Sequence, residues 1–230
     1  MDVASAVDSE GWAVTQPVLP QLVLDRLIEE LAPIAAERSR RGGIRNLLEQ
    51  SGAVRRLAAS REVREVAETV LGPQCFAVRA ILFDKTPAAN WKVLWHQDLT
   101  IAVRRRVTMA GFDVWSEKAG IPHVHAPAEI LERMLAVRIH LDDCGPDNGP
   151  VRVLPGSHRV GRLSPDAIDA WKASGAAVDC IVERGGILAF RPLVLHASAP
   201  ARSPAHRRVL HFEFAAETPP EPLEWYSQVA

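Results

Sequence analysis

The chain has 230 residues, 47% hydrophobic and 24% charged, with 14 Gly and 17 Pro; these ordinary globular values exclude disorder and collagen-like structure. Twenty-seven basic residues against 28 acidic ones leave a net charge of -1, so there is no general field to hold nucleic acid. No apolar run approaches the roughly 20 residues that cross a bilayer, and the start MDVASAVDSEGWAV lacks the basic and apolar parts of a signal peptide, so a cytoplasmic protein with no membrane contact is expected.

The elements expected in chain order begin with an amphipathic helix over 19–37, where Leu24, Leu27, Ile28, Leu31 and Ile34 recur at spacings of three and four. The run Arg38, Arg40, Arg41 and the later run Arg104, Arg105, Arg106 read as solvated faces, since Arg is abundant throughout (23 of the 27 basic residues). A second helix is expected from Ser60 to Leu71, stopped by Gly72-Pro73. Beyond it the pattern turns to short strands at 75–83, 132–143, 151–155, 185–192, 193–198 and 207–215, punctuated by turn signals such as GPDNG at 145–149. One helix interrupts them, with Ser164 as N-cap and Pro165 at its first position.

Helices first and strands later predict a mainly β, α+β fold built on antiparallel sheet, with a jelly roll as its natural closed form. We expect one domain over 1–230, with 1–74 as helical support and 75–215 as the barrel core. The stretch 101–131, with Trp115, His123, His125 and several prolines, reads as an insertion over one mouth of the barrel. Cys75, Cys144 and Cys180 are widely spaced and without a CxxC, which fits neither a disulfide framework nor a zinc ribbon.

His96 and Asp98 stand two apart in WHQDL; on a strand their side chains share a face. His196, in the late apolar strand PLVLHAS, could complete two imidazoles and one carboxylate on one side of a metal, the set typical of non-haem Fe(II) oxygenases. Arg207 follows eleven residues after His196, placed to form a bidentate pair with a carboxylate beside the metal. Ser198 lies on the same face as His196 and could donate to it. Arg208 competes with Arg207 for this role, because adjacent strand residues point to opposite faces. Trp91, Trp95 and Trp115 are candidates for the pocket or the core. His123 and His125 form an HxH pair in a Pro-flanked loop, while His158, in PGSH, reads as a turn residue and His140, His206 and His211 as strand or rim residues.

From about Phe76 to Ala215 the sequence resembles the phytanoyl-CoA dioxygenase family of Fe(II)/2-oxoglutarate oxygenases, on WHQDL, LDDCGPDNGPVRVLPGSH (141–158), and LVLHASAP followed by HRRVLHFEF. The resemblance implies a double-stranded β-helix with His96, Asp98 and His196 as iron ligands, and Arg207 helped by Ser198 on the distal carboxylate of 2-oxoglutarate. It puts Gln97 near the co-substrate and Arg45, in GGIRNLL, where some members carry a basic residue reaching that pocket. Arg138 stands where others have an aromatic, which suggests a more polar substrate pocket. O2 would be the oxidant and a small molecule the substrate, and the carboxylate at Asp98 points to hydroxylation or desaturation rather than halogenation. Two alternatives stay open: a cupin-type metal enzyme that does not use 2-oxoglutarate, and a non-catalytic jelly roll that binds a small ligand. Substrate identity and oligomeric state are not legible.

Overall fold

The computed structural model describes residues 2–36, 43–203 and 206–230; the run Arg38, Arg40, Arg41 lies outside them. Helix α1 (Val3–Glu10) ends at Gly11, and β1 (Trp12–Val14) leads into α2 (Gln21–Ala36). Helices α3 (Leu47–Gln50), α4 (Gly52–Ala58) and α5 (Arg61–Leu71) follow. The strands then run β2 (Phe76–Lys85), β3 (Val93–His96), β4 (Thr100–Ala102), β5 (Asp113–Lys118) and β6 (Ile121–His125). After the short helix α6 (Ala128–Leu131) come β7 (Met134–His140), β8 (Val151–Leu154), α7 (Pro165–Ser174), β9 (Val178–Cys180), β10 (Ile187–Phe190), β11 (Leu195–Ser198) and β12 (Arg207–Ala215).

The strands form a five-stranded sheet in the order β1-β10-β7-β12-β2 and a four-stranded sheet β3-β11-β8-β9, with every named pairing antiparallel. This is the jelly roll expected. Period-two alternation divides the larger sheet into two jobs. Leu82, Leu135, Val137, Ile139, Leu210, Phe212 and Phe214 face outward into a core shared with the helices, where Leu24, Leu27 and Leu31 of α2 and Val63, Val66 and Ala67 of α5 meet them. The opposite face turns in toward the smaller sheet: Leu188 and Phe190 pack with Val151, Val153 and Val194 between the two layers. Strands buried on both faces explain why their sequences read as continuous apolar runs.

The caps expected at α7 are in place, with Ser164 Oγ accepting from the Ala167 amide and Pro165 in the first turn. Three features differ from the sequence reading. The helical N-terminal part also supplies β1, which pairs with β10 at the edge of the larger sheet; at three residues it is too short to show alternation. The stretch 101–131 carries strands of its own: β4, β6 and β5 form a separate three-stranded sheet. His123 and His125 therefore sit on β6 and not in a loop. This small sheet and the C-terminal residues Leu223 and Trp225 share a second core with Phe76, Val78 and Met134. Of the second arginine run, Arg104, Arg105 and Arg106 are exposed, and Arg104 pairs with Glu224 at 3.4 Å.

PGSH at 155–158 ties together the neighbouring strands β8 and β11 at the centre of the smaller sheet. Ser157 is fully buried; its Oγ donates to the Leu154 carbonyl at 2.6 Å and accepts from the Leu195 amide at 2.8 Å. His158 contacts the Asp8 carbonyl through Nε2 at 3.1 Å and so ties this turn to α1. Ser157→Ala leaves a buried amide without an acceptor, and is expected to cost about 1–3 kcal/mol. Urea unfolding measures this loss, and an unchanged midpoint would remove Ser157 from the framework of the site.

Candidate metal centre and its cavity

His96 and His196 are directly opposed across the β3–β11 pair, with ring centroids 4.3 Å apart. Asp98 lies two residues past the end of β3, in a segment pinned by its own amide, which donates to the Pro192 carbonyl at 2.8 Å. Its carboxylate meets both rings: Oδ1 is 3.6 Å from His96 Nε2 and Oδ2 is 3.5 Å from His196 Nε2. One ligand atom from each of the three residues lies within 4.8 Å of the others.

The other ring nitrogens decide what this group can hold. His96 Nδ1 lies 2.8 Å from the Leu94 carbonyl, and His196 Nδ1 lies 3.0 Å from that of Val194. A carbonyl only accepts, so each ring carries a proton on Nδ1 and turns Nε2 toward Asp98, where it donates when the ring is charged and can ligate a metal when the ring is neutral. Burial pushes His196 down to about 4 despite the neighbouring carboxylate, so it is neutral at physiological pH. Burial alone would raise Asp98, but the two imidazoles hold it well below the ordinary carboxylate range. Against the effect of burial, the Asp98 carboxylate raises His96, so metal binding there would displace the Nε2 proton, and two imidazole lone pairs with an ionised carboxylate are then the donor set a divalent non-haem metal takes.

A cavity of about 420 Å³ opens over this group. Arg207 and Ser198 line it, and so does Arg138. Arg207 is 3% exposed, and its Nη1 donates to the Gly149 carbonyl. Its neighbour Arg208 points the other way and grips Asp142 with Nε at 2.8 Å and Nη2 at 2.5 Å, so the alternation on β12 separates the two arginines. Arg138 lies over the Phe83 ring at 5.3 Å, and burial followed by the nearby Arg207 charge brings it down to about 10. The Nε atoms of both Arg207 and Arg138 are buried with no hydrogen-bond partner among the described residues.

Gln97 also borders the cavity, but its amide is fully used elsewhere. Nε2 donates to the Gly161 and Leu193 carbonyls at 2.8 and 2.7 Å, and Oε1 accepts from the Leu163 amide at 2.8 Å. It braces the segment that carries the ligands at the border of the cavity. Arg45 lines the cavity near Arg79, whose charge acts on it after burial, away from Arg207. Among the tryptophans, Trp91 lines the cavity, Trp115 packs on the second core and Trp95 lies 6.0 Å from the Arg152 guanidinium. His125 and His211 line the cavity without joining the metal group.

Lys85 was not legible as a site residue. It is fully buried at the end of β2, paired in register with Arg207. Its Nζ donates to Ser198 Oγ at 2.5 Å and to the Ala199 carbonyl at 2.6 Å. Burial and then the Arg207 charge bring it down to about 7. Neither Lys85 nor Arg207 makes an ion pair among the described residues. Two adjacent buried cations without a carboxylate are costly unless an anion joins them. The turn before β8 closes this corner: Gly149 has φ +60, and a Cβ there would meet the Ala199 carbonyl at 2.7 Å and Lys85 Nζ at 3.3 Å.

A jelly roll that gathers two imidazoles and a carboxylate beneath one cavity defines the class of facial-triad, non-haem metal proteins. The profile of the phytanoyl-CoA dioxygenase (PhyH) family matches residues 7–209, and the chain belongs to that family. It is 26% identical over 171 residues to the ectoine dioxygenase of Sphingopyxis alaskensis, which covers 68% of this chain and 49% of the relative; the chain thus spans about half the length of the curated relative it matches. Among solved structures it is similar to AviO1 from Streptomyces viridochromogenes Tue57, with a TM-score of 0.69, 24% identity, and coverage of 96% of this chain and 98% of that one. It is also similar to the epimerase SnoN in complex with Fe3+, alpha ketoglutarate and nogalamycin RO, with a TM-score of 0.69, 16% identity, and coverage of 93% and 82%. Among the described residues, no helix is long and apolar enough to cross a membrane.

Proposed function

We propose that this protein is a non-haem Fe(II)/2-oxoglutarate-dependent dioxygenase that hydroxylates or desaturates a small molecule. In the hydroxylating case, R–H, O2 and 2-oxoglutarate give R–OH, succinate and CO2. The observation that carries this reading is a three-ligand metal group beneath one cavity and, at the edge of that cavity, a buried pair of cations with no ion-pair partner among the described residues. Iron held by His96, Asp98 and His196 would supply the activation of O2 that this chemistry needs. Arg207 offers its unpartnered Nε to the distal carboxylate of 2-oxoglutarate, and Ser198, which accepts from Lys85, directs its own hydroxyl proton to the same carboxylate. Lys85 supplies the second positive charge behind Ser198. Arg138 faces the space between this corner and the metal group, and Phe190, 4.9 Å from the His196 ring, keeps water from the back of that ligand. The 7–209 match, within the 230 residues, supports a single catalytic domain with 101–131 as the element over its mouth.

The test is succinate formation by purified protein with Fe(II), ascorbate and 2-oxoglutarate, with and without a metabolite extract. Turnover that disappears in Asp98→Ala supports the reading. No turnover, together with no binding of 2-oxoglutarate to the Fe(II)-loaded protein, overturns it.

Lys85 gives this pocket a pH signature. As pH rises above about 7 the free protein loses the Lys85 proton, so binding a dianion there must take a proton up, and 2-oxoglutarate affinity is expected to fall. Stability moves the opposite way. Between about 7 and the ordinary lysine range the unfolded chain keeps the proton that the folded one has lost, so folding becomes more favourable as pH rises. Calorimetric titration and chemical denaturation at about pH 6 and about pH 9 check both trends. Lys85→Met should flatten each, and an unchanged slope in that variant would assign the titration to another group.

A further inference from the structure

The larger sheet carries a row of polar side chains on the face it turns toward the metal group. Across β2 and β12, Arg79 stands opposite Glu213 and Ile81 opposite His211; across β12 and β7, His211 stands opposite Arg138. Glu213 Oε1 is 3.0 Å from Arg79 Nη1 and 3.5 Å from His211 Nε2. Arg79, Glu213, His211 and Arg138 all line the cavity, and the Asp98 charge acts on the last three. Phe190 lies 4.9 Å from the His196 ring and 6.3 Å from the His211 ring, so a single aromatic side chain spaces His211 from a metal ligand. Lys118, which also lines the cavity, donates to Thr100 Oγ1 at 3.1 Å and feels the Glu213 and Asp98 charges.

Two atoms of this row are left over. His211 is 3% exposed and Arg138 8%, and His211 Nδ1 and Arg138 Nε are buried with no hydrogen-bond partner among the described residues. Burial holds the His211 imidazole below its ordinary range, so the ring is neutral, and the carboxylate beside Nε2 draws the single ring proton to that side. Nδ1 is then a lone pair that only accepts, whereas a guanidinium Nε only donates. Directly opposed residues thus present one spare acceptor and one spare donor. Leaving both unfilled in a dry site is costly, and a ligand that pairs with both recovers that cost. An anion would suit Arg138 but meet the His211 lone pair. A cation would suit the lone pair but meet the guanidinium. Arg79 is already paired with Glu213, so it adds no pull on an ion.

We infer that Arg138 and His211 bind an uncharged polar group of the primary substrate, a hydroxyl or an amide, which accepts from Arg138 Nε and donates to His211 Nδ1. The substrate is therefore a hydrogen-bonding small molecule and not a plain hydrocarbon chain, and it lies between this row and His96, Asp98 and His196. Side-chain adjustments of the kind common on complex formation open the two atoms to it. The inference rests on the oxygenase reading of the metal group and adds the class of group that the cavity selects.

The experiment is anaerobic calorimetric titration of Fe(II)-loaded protein, with and without saturating 2-oxoglutarate. The probes are myo-inositol for the hydroxyl, N-methylacetamide for the amide, acetate for an anion and methylammonium for a cation. One of the two neutral probes should bind more tightly than either ion, and the tighter neutral one gives the class of the substrate's polar group. Arg138→Met, which keeps length but removes the donor, should weaken that probe by about tenfold or more, and His211→Phe by about fivefold. In His211→Phe the 2-oxoglutarate affinity should stay within about twofold. His211→Gln keeps a donor toward Glu213 and an acceptor toward the cavity, and should hold the probe within about twofold of the parent protein. Tighter binding of acetate or methylammonium, binding of neither neutral probe, or an affinity indifferent to both substitutions would each overturn the inference. Equal losses in His211→Gln and His211→Phe would mark a packing effect and overturn it as well. Failure of 2-oxoglutarate to bind would instead strike the co-substrate reading, and the titrations without it then judge Arg138 and His211 by themselves.

Discussion

Asp98→Ala is expected to abolish iron binding and succinate formation while leaving the fold in place. The carboxylate is the single charged member of the ligand set and bridges both Nε2 atoms. Loss of a partner that merely orients a metal ligand typically costs 10–100-fold in affinity or activity, so loss of a ligand itself should exceed about 100-fold. The fold should tolerate the change because Asp98 faces the cavity and because His196, held down to about 4, is neutral and is not left as an unpaired buried charge. Metal content after anaerobic Fe(II) loading, succinate yield and the unfolding midpoint together test this. A variant that still binds iron and turns over would remove His96, Asp98 and His196 as the ligand set.

Arg207→Ala should separate co-substrate binding from folding. Truncating one partner of a buried, hydrogen-bonded charge pair costs about 2–5 kcal/mol, so the 2-oxoglutarate requirement should rise at least about 30-fold. The free protein loses little in return, since Arg207 has no ion-pair partner among the described residues and its removal relieves the repulsion that lowers Lys85 and Arg138. The Lys85 titration should move upward in this variant. Arg208→Ala provides the contrast: it breaks a part-buried bidentate contact with Asp142 and should cost stability of about 1 kcal/mol without changing 2-oxoglutarate affinity. A loss of affinity in Arg208→Ala but not in Arg207→Ala would exchange their roles.

The parts of the site that were legible in the sequence are those where strand periodicity and residue type agree. His96 and Asp98 two apart, His196 in an apolar run and Arg207 on the following strand all face one cavity. Lys85 was hidden because a lysine closing an apolar strand ordinarily marks the point where the strand meets water, and the compensating Ser198 contact is 113 residues away in sequence. Arg79 and Lys118 carried no local signal for a similar reason. An inward charge in a strand is recognisable only once its cross-strand partner is known, and for Arg79 that partner is Glu213, 134 residues on.

Of the fold, α2, α5, α7 and the strands β2, β7, β8, β10, β11 and β12 announced themselves through periodicity and caps. Helix α1 did not, because VASAVDSE has a single buried residue, Val7, and so no apolar stripe. Strand β5, DVWSEK, contains no buried residue and resembled a polar loop. Its strand state comes from pairing with β6, a tertiary cause that composition does not carry.

Because inward positions on β2 recur at every second residue, the distance from Lys85 to any other inward side chain of that strand changes only in increments of about 6.6 Å. A sheet of this kind works as a ruler with coarse graduations: Phe83, Ile81 and Arg79 mark one, two and three of them from Lys85. Regiochemistry in such a barrel would then evolve by jumps between layers.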